Sequence, residues 1–318
     1  MISLISPSEV KNPTSIAIGS FDGLHAGHRK LIKSVVEQNK YTPTIASFWP
    51  HPREVLYNEN RLRLDLPEEK LPILEDLGIE QLVLIPFNKE LSKLSAERFV
   101  RDILINQLQA KNISVGANFK FGFKRSGDIN TIKNTIKDTD IKLKITPILE
   151  DKEGRISSSR IRDLLQKSDL KNAFKILNRP YSFNGKVVRG KGIGKSLGWP
   201  TANLEIDGRK FLPGKGVYAA WTTIENSNQK IESIMNLGSQ PTINPLLPSA
   251  VEVHLINKDI DLYGLNLSAL NLDNSLLKGI KTNCSIPRSS RIGSFSSGRS
   301  SLRPVSYTHL TLPTMIGV

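Results

Sequence analysis

Apolar and polar positions over the first 180 residues alternate between two rhythms. Thr14-Ser15-Ile16-Ala17-Ile18, small and β-branched and ending on three apolar residues, reads as a short buried strand. Arg29-Lys30-Leu31-Ile32-Lys33-Ser34-Val35-Val36 follows, with its apolar residues spaced for one face of a helix. The pairing recurs. Strand patterns lie at residues 44–48, 81–85, 113–115 and 143–145, and helical ones over 68–77 and from Ser95 to about Leu108, the latter opened by a near-capping box at Ser95. Such alternation predicts an α/β fold with a doubly wound parallel sheet, whose ligands bind outside the carboxyl ends of the strands.

Near Asn178-Arg179-Pro180 the helical period stops. Strand-like runs at 185–188, 216–222, 232–236 and 251–255, separated by Gly, Pro and Asn, predict an antiparallel barrel or sandwich. After Gly264 the alternation decays and serine becomes dense, as in Ser294-Phe295-Ser296-Ser297-Gly298-Arg299-Ser300-Ser301, so little stable structure is expected from about residue 275. The chain is accordingly divided into an α/β domain at 1–180, a β domain at 181–267 and a disordered tail at 268–318.

Composition narrows the class. A hydrophobic share of 38% and a charged share of 23% over 318 residues are those of a soluble protein of two domains. No apolar stretch approaches the roughly 20 residues needed to span a bilayer, and Met1-Ile2-Ser3-Leu4-Ile5-Ser6-Pro7 lacks the basic start of a signal peptide. The single cysteine, Cys284, leaves no internal disulfide, fits a reducing cytoplasm and, with five histidines, argues against a structural zinc site. The net charge of +14 invites a nucleic-acid reading, but the residues from Leu265 onward supply +5 of it and the remaining +9 is diffuse. With aromatics at only 6%, a basic surface that attracts polyphosphate is the simpler expectation, without nucleic acid or membrane as partner.

The candidate chemistry starts at Gly19-Ser20-Phe21-Asp22-Gly23-Leu24-His25-Ala26-Gly27-His28, between the first buried strand and its helix. Strand, glycine-bearing turn and helix N-terminus form a phosphate grip, because unpaired N–H groups and the helix dipole converge there. Gly19, Phe21, Asp22 and Gly27 are expected around the phosphates, and Gly27 must lack a Cβ for the backbone to approach them. His25 and His28 supply donors that carry charge when needed. Asp22 is expected to orient a histidine or to stand near magnesium.

Ser157-Ser158-Ser159-Arg160-Ile161-Arg162 opens a second helix, with Ser159 as the expected cap. Arg160 and Arg162 occupy a first turn that prefers acids, which makes sense if Ser158, Ser159 and Arg162 hold an anion. Trp49-Pro50-His51-Pro52 ends a strand on the ligand side. The loop Gly116-Ala117-Asn118-Phe119-Lys120-Phe121-Gly122-Phe123-Lys124-Arg125-Ser126-Gly127-Asp128 suits stacking on a flat ring and pairing with phosphate.

In the β half, Gly190, Gly192 and Gly194 make a glycine loop, although the Walker spacing would need glycine at Arg189 and a strand-to-helix context. Leu197-Gly198-Trp199-Pro200-Thr201-Ala202-Asn203-Leu204 follows. Thr201 and Asn203, two apart, present oxygen donors on one face and suit Mg²⁺-ATP. Glu252, in Val251-Glu252-Val253-His254-Leu255, is either a solvated side chain or a general base on a hydroxyl.

Taken in order, the 19–28 turn, Trp49-Pro50-His51-Pro52, the 116–128 loop, the serine-arginine helix, the GxGxxxGxPTAN run, Asn236-Leu237-Gly238-Ser239-Gln240-Pro241-Thr242, the Glu252 strand and Asp261-Leu262-Tyr263-Gly264 resemble the prokaryotic bifunctional riboflavin kinase/FAD synthetase family. The resemblance implies an HxGH-type nucleotidyltransferase that adenylylates FMN with ATP to give FAD and pyrophosphate. It also implies a six-stranded barrel that phosphorylates riboflavin to FMN. By the same resemblance His25 and His28 stabilise the phosphates, Ser159 and Arg162 hold them, and Asn118 and Arg125 lie on the FMN/ATP loop. Thr201 and Asn203 handle Mg²⁺-ATP, and Glu252 accepts the hydroxyl proton. The family often has Asn at Ser20 and Thr at Ser159. The resemblance stops near residue 267. The ending Val305-Ser306-Tyr307-Thr308-His309-Leu310-Thr311-Leu312-Pro313-Thr314 resembles translated vector sequence, so the barrel is expected to lack its last strand. Two alternatives follow: FAD synthetase activity alone, or a basic nucleotide- or RNA-binding protein.

Overall fold

The computed structural model describes residues 1–37, 40–189, 201–225, 227, 229–238, 249–258, 260 and 262–272. Its first half is built on strands β1 (Ser3–Ile5), β2 (Thr14–Ile18), β3 (Thr42–Trp49), β4 (Gln81–Pro86), β5 (Ala110–Gly116) and β6 (Lys142–Thr146). All pair in parallel, in the order β1-β4-β3-β2-β5-β6. Successive residues of each strand enter opposite layers. Ile16, Ile18, Ala46 and Val83 pack with one cluster, while Ala17, Ile45 and Leu82 pack with another. This two-sided burial is why the strands read as apolar runs rather than as alternation.

Helix α1 (Ala26–Val36) covers one face through Leu31, Ile32 and Val35, joined by Leu74 of α3 (Pro67–Asp76). Helix α2 (Pro52–Tyr57) lies between β3 and α3 in sequence. After the short α4 (Lys89–Ser92), the expected helix from Ser95 is present with Ser95 as its cap, but only α5 (Ala96–Arg98) is α-helical. Phe99–Gln107 is a π-helix, whose wider turn turns Phe99, Val100, Ile103 and Leu104 onto the sheet. Helix α6 (Ile129–Ile136) completes this layer, and the short hairpin β7 (Glu150–Asp151)–β8 (Gly154–Arg155) precedes α7 (Ser158–Gln166) and α8 (Leu170–Leu177).

Strands β9 (Gly185–Val188), β10 (Ala202–Ile206), β11 (Gly216–Ile224), β12 (Ile231–Leu237), β13 (Ser249–Leu255) and β14 (Asn266–Leu272) form a closed antiparallel barrel in the order β10-β13-β12-β11-β14-β9. Ala202, Leu204 and Ile206 point inward, as do Met235, Val251 and Val253. The change from helices to strands comes between Leu177 and Gly185, near the expected position, yet no break in the core accompanies it. Ile161 and Leu165 of α7, with Leu170, Ile176 and Leu177 of α8, share one apolar cluster with the barrel interior.

The expectation of an incomplete barrel ending at residue 267 is corrected. β14 extends to Leu272 and pairs with both β11 and β9, so the sheet has no open edge. The alternation faded because of a bulge. Between the pairs Trp221↔Asn271 and Thr223↔Ser268, β14 carries one residue more than β11, which shifts the apolar period from 267 and 269 to 270 and 272. Gly190, Gly192, Gly194, residues 239–242, Asp261 and the tail from residue 273 lie outside the described residues.

Candidate active site

The strand order changes direction between β2 and β5, and the crevice outside the carboxyl ends opens there. Ile18 at the end of β2 and Gly19 after it, Phe48 of β3, Phe87 beyond β4, Gly116 of β5 and Thr146 of β6 line one cavity of about 940 Å³. Arg53, Lys120, Lys124, Arg125, Arg155 and Arg162 lie on its wall, and no carboxylate does among the described residues. Such a wall raises the local concentration of polyanions.

The turn after β2 is held in unusual backbone geometry. Phe21 (φ 44°), Gly23 (φ 87°) and Leu24 (φ 43°) are left-handed, while Phe21 and Leu24 are fully buried. A Cβ on Gly23 would stand 2.8 Å from Leu64 Cδ1. Burial of both aromatic and aliphatic anchors holds the strained turn, which delivers His25 to the N-cap of α1. His25 Nδ1 accepts from the His28 N–H at 3.4 Å, and the two imidazoles stack with centroids 3.7 Å apart and planes at 17°. Gly27 makes room for this stack, since a Cβ there would lie 3.2 Å from His25 Cε1.

Burial, aided by Arg155, pushes the His25 pKa down to about 4. Burial also pushes His28 well below its ordinary value, with His25, Lys70 and Arg155 adding to the effect. Both rings are therefore neutral at pH 7, and His28 Nδ1 is buried without a hydrogen-bond partner among the described residues.

Helix α7 brings a second N-terminus to the cavity, and Ser157, Ser158, Ser159 and Arg162 all line it. The cap is Ser157, whose hydroxyl accepts from the Arg160 N–H at 3.3 Å, rather than Ser159. Capping by Ser157 leaves Ser159 exposed on the first turn. The Ser158 hydroxyl donates to the Asp22 carbonyl at 2.8 Å, tying the two phosphate-type turns together. The first-turn cations have protein partners. Arg160 pairs with Asp151 and Glu153, and Arg162 donates through Nε to the Leu62 carbonyl at 2.7 Å and through Nη2 to Asp22.

Asp22 corrects an expectation. Of the residues expected around this site, Gly19, Phe21, His25, Gly27, His28, Asn118, Arg125, Ser158, Ser159 and Arg162 line the cavity, but Asp22 does not. Its carboxylate is 1% exposed and accepts from the Leu64 and Asp65 N–H groups at 2.8 and 3.3 Å, so it neither orients a histidine nor faces a ligand. A buried carboxylate needs such donors, and these consume it.

Of two further wall residues, Arg155 is not singled out by the sequence, and His51 is legible only as part of the Trp49-Pro50-His51-Pro52 turn. Arg155 lies in a two-residue strand that carries no local signal. With the Asn118 amide oxygen turned toward it, that oxygen accepts from its two terminal nitrogens at 2.7 and 3.1 Å. His51 follows the cis Trp49–Pro50 peptide and caps α2, with Nδ1 accepting from the Arg53 N–H at 3.1 Å. Burial, with Arg63 next, pushes its pKa down to about 3. Phe119 and Phe121 stack at 5.2 Å on the 116–128 loop, giving the cavity a flat apolar side.

On the barrel, Asn203 stands directly opposite Glu252 in the β10–β13 ladder, and Asn236 stands opposite Glu252 in the β12–β13 ladder. All three alternate with inward residues and so share the outer face, as neighbours about 5 Å apart. Thr201, two residues before Asn203, is half-buried. Asn236 joins Glu252 only through this pairing, which sequence spacing does not show.

Known proteins divide the chain in the same two parts. The family model described as FAD synthetase matches residues 8–160, and that described as riboflavin kinase matches residues 177–274. A bifunctional riboflavin kinase/FMN adenylyltransferase of Buchnera aphidicola (subsp. Schizaphis graminum) is 34% identical over 87% of this chain and 88% of its own length. Proteins of the same description from Escherichia coli K12 (30%, 80% of this chain and 82% of theirs) and Bacillus subtilis 168 (32%, 78% and 80%) are also similar. A crystal structure titled as a macrolide-efflux protein from Streptococcus pneumoniae superposes with a TM-score of 0.74 at 26% identity, covering 91% of this chain and 99% of that one. No helix among the described residues is long and apolar enough to cross a membrane. With both domain types present in one polypeptide and relatives matched over most of their length, this chain belongs to the bifunctional riboflavin kinase/FMN adenylyltransferase family.

Proposed function

We propose that the cavity at the carboxyl edge of the parallel sheet is where this enzyme adenylylates FMN, and that the outer face of β10, β12 and β13 is where it phosphorylates riboflavin. The observation that carries the first assignment is a wall of six basic side chains, two helix N-termini and stacked aromatics, with no carboxylate among the described residues. That environment suits one flat apolar ring and several phosphates at once. In the transfer, an FMN phosphate oxygen bonds to the α-phosphorus of ATP while the bond from that phosphorus to the bridging oxygen breaks, releasing pyrophosphate. His25 and His28 stabilise the charge gathering on the leaving group. Ser159, Gly19 and Phe21 line the phosphate path, Arg162 braces it, and Asn118 and Arg125 border the flavin.

On the barrel, Glu252 takes the proton of the riboflavin 5′-hydroxyl as that oxygen bonds to the γ-phosphorus of ATP and the bond to ADP breaks. Thr201 and Asn203 offer hard oxygen donors that would hold Mg²⁺ on ATP, where the ion would offset γ-phosphate charge. Gly190, Gly192 and Gly194 are assigned to ATP by their motif alone. A cytoplasmic location fits a chain with one cysteine.

The test is product analysis by chromatography of two reactions with Mg-ATP, one given riboflavin and one given FMN. FMN (and then FAD) from the first and FAD from the second are expected. FAD from FMN without FMN from riboflavin would restrict the activity to adenylyl transfer. No product in either from folded protein would overturn the assignment and favour a nucleotide- or RNA-binding role.

A further inference from the structure

We propose that Arg209 and Lys210, on the connection between β10 and β11, are positioning residues for the adenylyl-transfer cavity, although they lie in the part of the chain that matches the riboflavin kinase family. The inference rests on the reading that the cavity adenylylates FMN.

Two lines of contact lead from this connection to the cavity. The first runs through the segment 62–66. The Arg63 N–H donates to the Arg209 carbonyl at 3.0 Å, and the Phe211 N–H donates to the Arg63 carbonyl at 2.7 Å. Lys210, 1% exposed, donates from Nζ to the Leu64 carbonyl at 2.6 Å and to Glu69 at 2.5 Å. The same segment holds the cavity's frame. The Leu64 and Asp65 N–H groups bind the Asp22 carboxylate, and the Leu62 carbonyl binds Arg162. Asp22 closes on Arg162 through its carboxylate and on Ser158 through its carbonyl, and His25 follows three residues later. The segment is thus held by the barrel connection and itself holds both phosphate-type turns.

The second line runs through Trp49. The Arg209 guanidinium carbon lies 4.5 Å from its ring centroid and that of Arg63 lies 4.6 Å from it. Two residues further on, His51 lines the cavity. Arg63 is itself fixed by Glu54 and the Phe48 carbonyl. Neither Arg209 nor Lys210 lines the cavity, so both act only through the groups they hold. A buried ammonium needs close, well-aimed partners to offset its desolvation, and Lys210 finds them on the segment that sets Asp22.

The experiment measures both activities of the full chain in Lys210→Met, Lys210→Arg and Arg209→Ala. A displacement of about 1 Å at reacting groups can cost up to about 100-fold, so Lys210→Met is expected to lower kcat for FMN adenylylation by about tenfold or more. Arg209→Ala is expected to lower it about three- to tenfold by the same displacement argument. Riboflavin phosphorylation serves as the control and is expected to stay near the wild-type rate, and Lys210→Arg to recover most of the adenylylation. Loss of a buried lysine can unfold the protein. Arg209→Ala removes a side chain that is 36% exposed and carries the test without that liability. Wild-type adenylylation in Arg209→Ala, or a parallel fall of both of its activities, would overturn the proposal. Wild-type protein that converts no FMN to FAD would instead refute the functional reading on which it rests.

Discussion

His25 shows what one side chain is made to do at this site. Its Nδ1 is committed as an acceptor from the His28 N–H, its ring is stacked, and burial holds its pKa near 4. The consequence for stability has a definite sign. In the unfolded chain the group titrates near 6.5, so between pH 6.5 and about 4 the unfolded state binds more protons than the folded one. Stability is full above pH 6.5 and falls as pH drops through that window, with a slope of up to about 1.4 kcal/mol per pH unit for the group. Urea titrations across the window are expected to show this loss, and His25→Asn is expected to flatten the slope. An unchanged slope in the variant would place the acid sensitivity elsewhere, with His28, which burial pushes well below its ordinary value, and His51, pushed down to about 3, the next groups.

At the scale of elements, strand pairing assembles what spacing along the chain cannot. β13 lies between β10 and β12, so Glu252 is flanked by Asn203 and Asn236. If Glu252 is the base, Glu252→Gln keeps the shape but loses the proton acceptor. Riboflavin phosphorylation is then expected to fall by about 10²–10⁴-fold with FMN adenylylation unchanged, measured as separate product yields. β14 makes the second case. Leu267, fully buried, seals the barrel beside Gly185, and truncating it to alanine is expected to cost about 2–5 kcal/mol in denaturant melts. The bulge that lets β14 pair also broke its apolar period, and so the strand was hidden from a reading that relies on alternation.

Across the whole molecule, the two halves share a core. Leu64 and Ile161 from the first part pack with Phe183, Leu204 and Val253 of the second. The ion pair Lys210–Glu69, buried at both ends, crosses the same junction, and Arg179, one residue before the boundary, pairs with Asp65. Cutting at residue 180 would expose the apolar side of α7 and α8 and strand the buried Glu69 and Lys210 charges. Thermal unfolding is therefore expected to be a single cooperative transition through residue 272, with tryptophan fluorescence from Trp49 and Trp221, each isolated by replacing the other tryptophans with phenylalanine, giving the same midpoint. Two separated midpoints would show that the shared core does not couple the halves.

The sequence alone determined the alternating α/β half, the barrel half, and ten of the cavity's wall residues from Gly19 to Arg162. Local physics writes these directly. A doubly buried strand must be apolar, a phosphate turn needs glycine and a helix start, and both survive in the order of residues. Tertiary structure decided the rest. It turned Asp22 from a ligand candidate into a buried acceptor for Leu64, Asp65 and Arg162, and gave Arg160 to a hairpin rather than to an anion. It brought Arg155 to Asn118, set Asn236 beside Glu252, and closed the barrel with β14. Each of these depends on a partner 7 to 140 residues away, supplied by packing rather than by immediate neighbours in the chain.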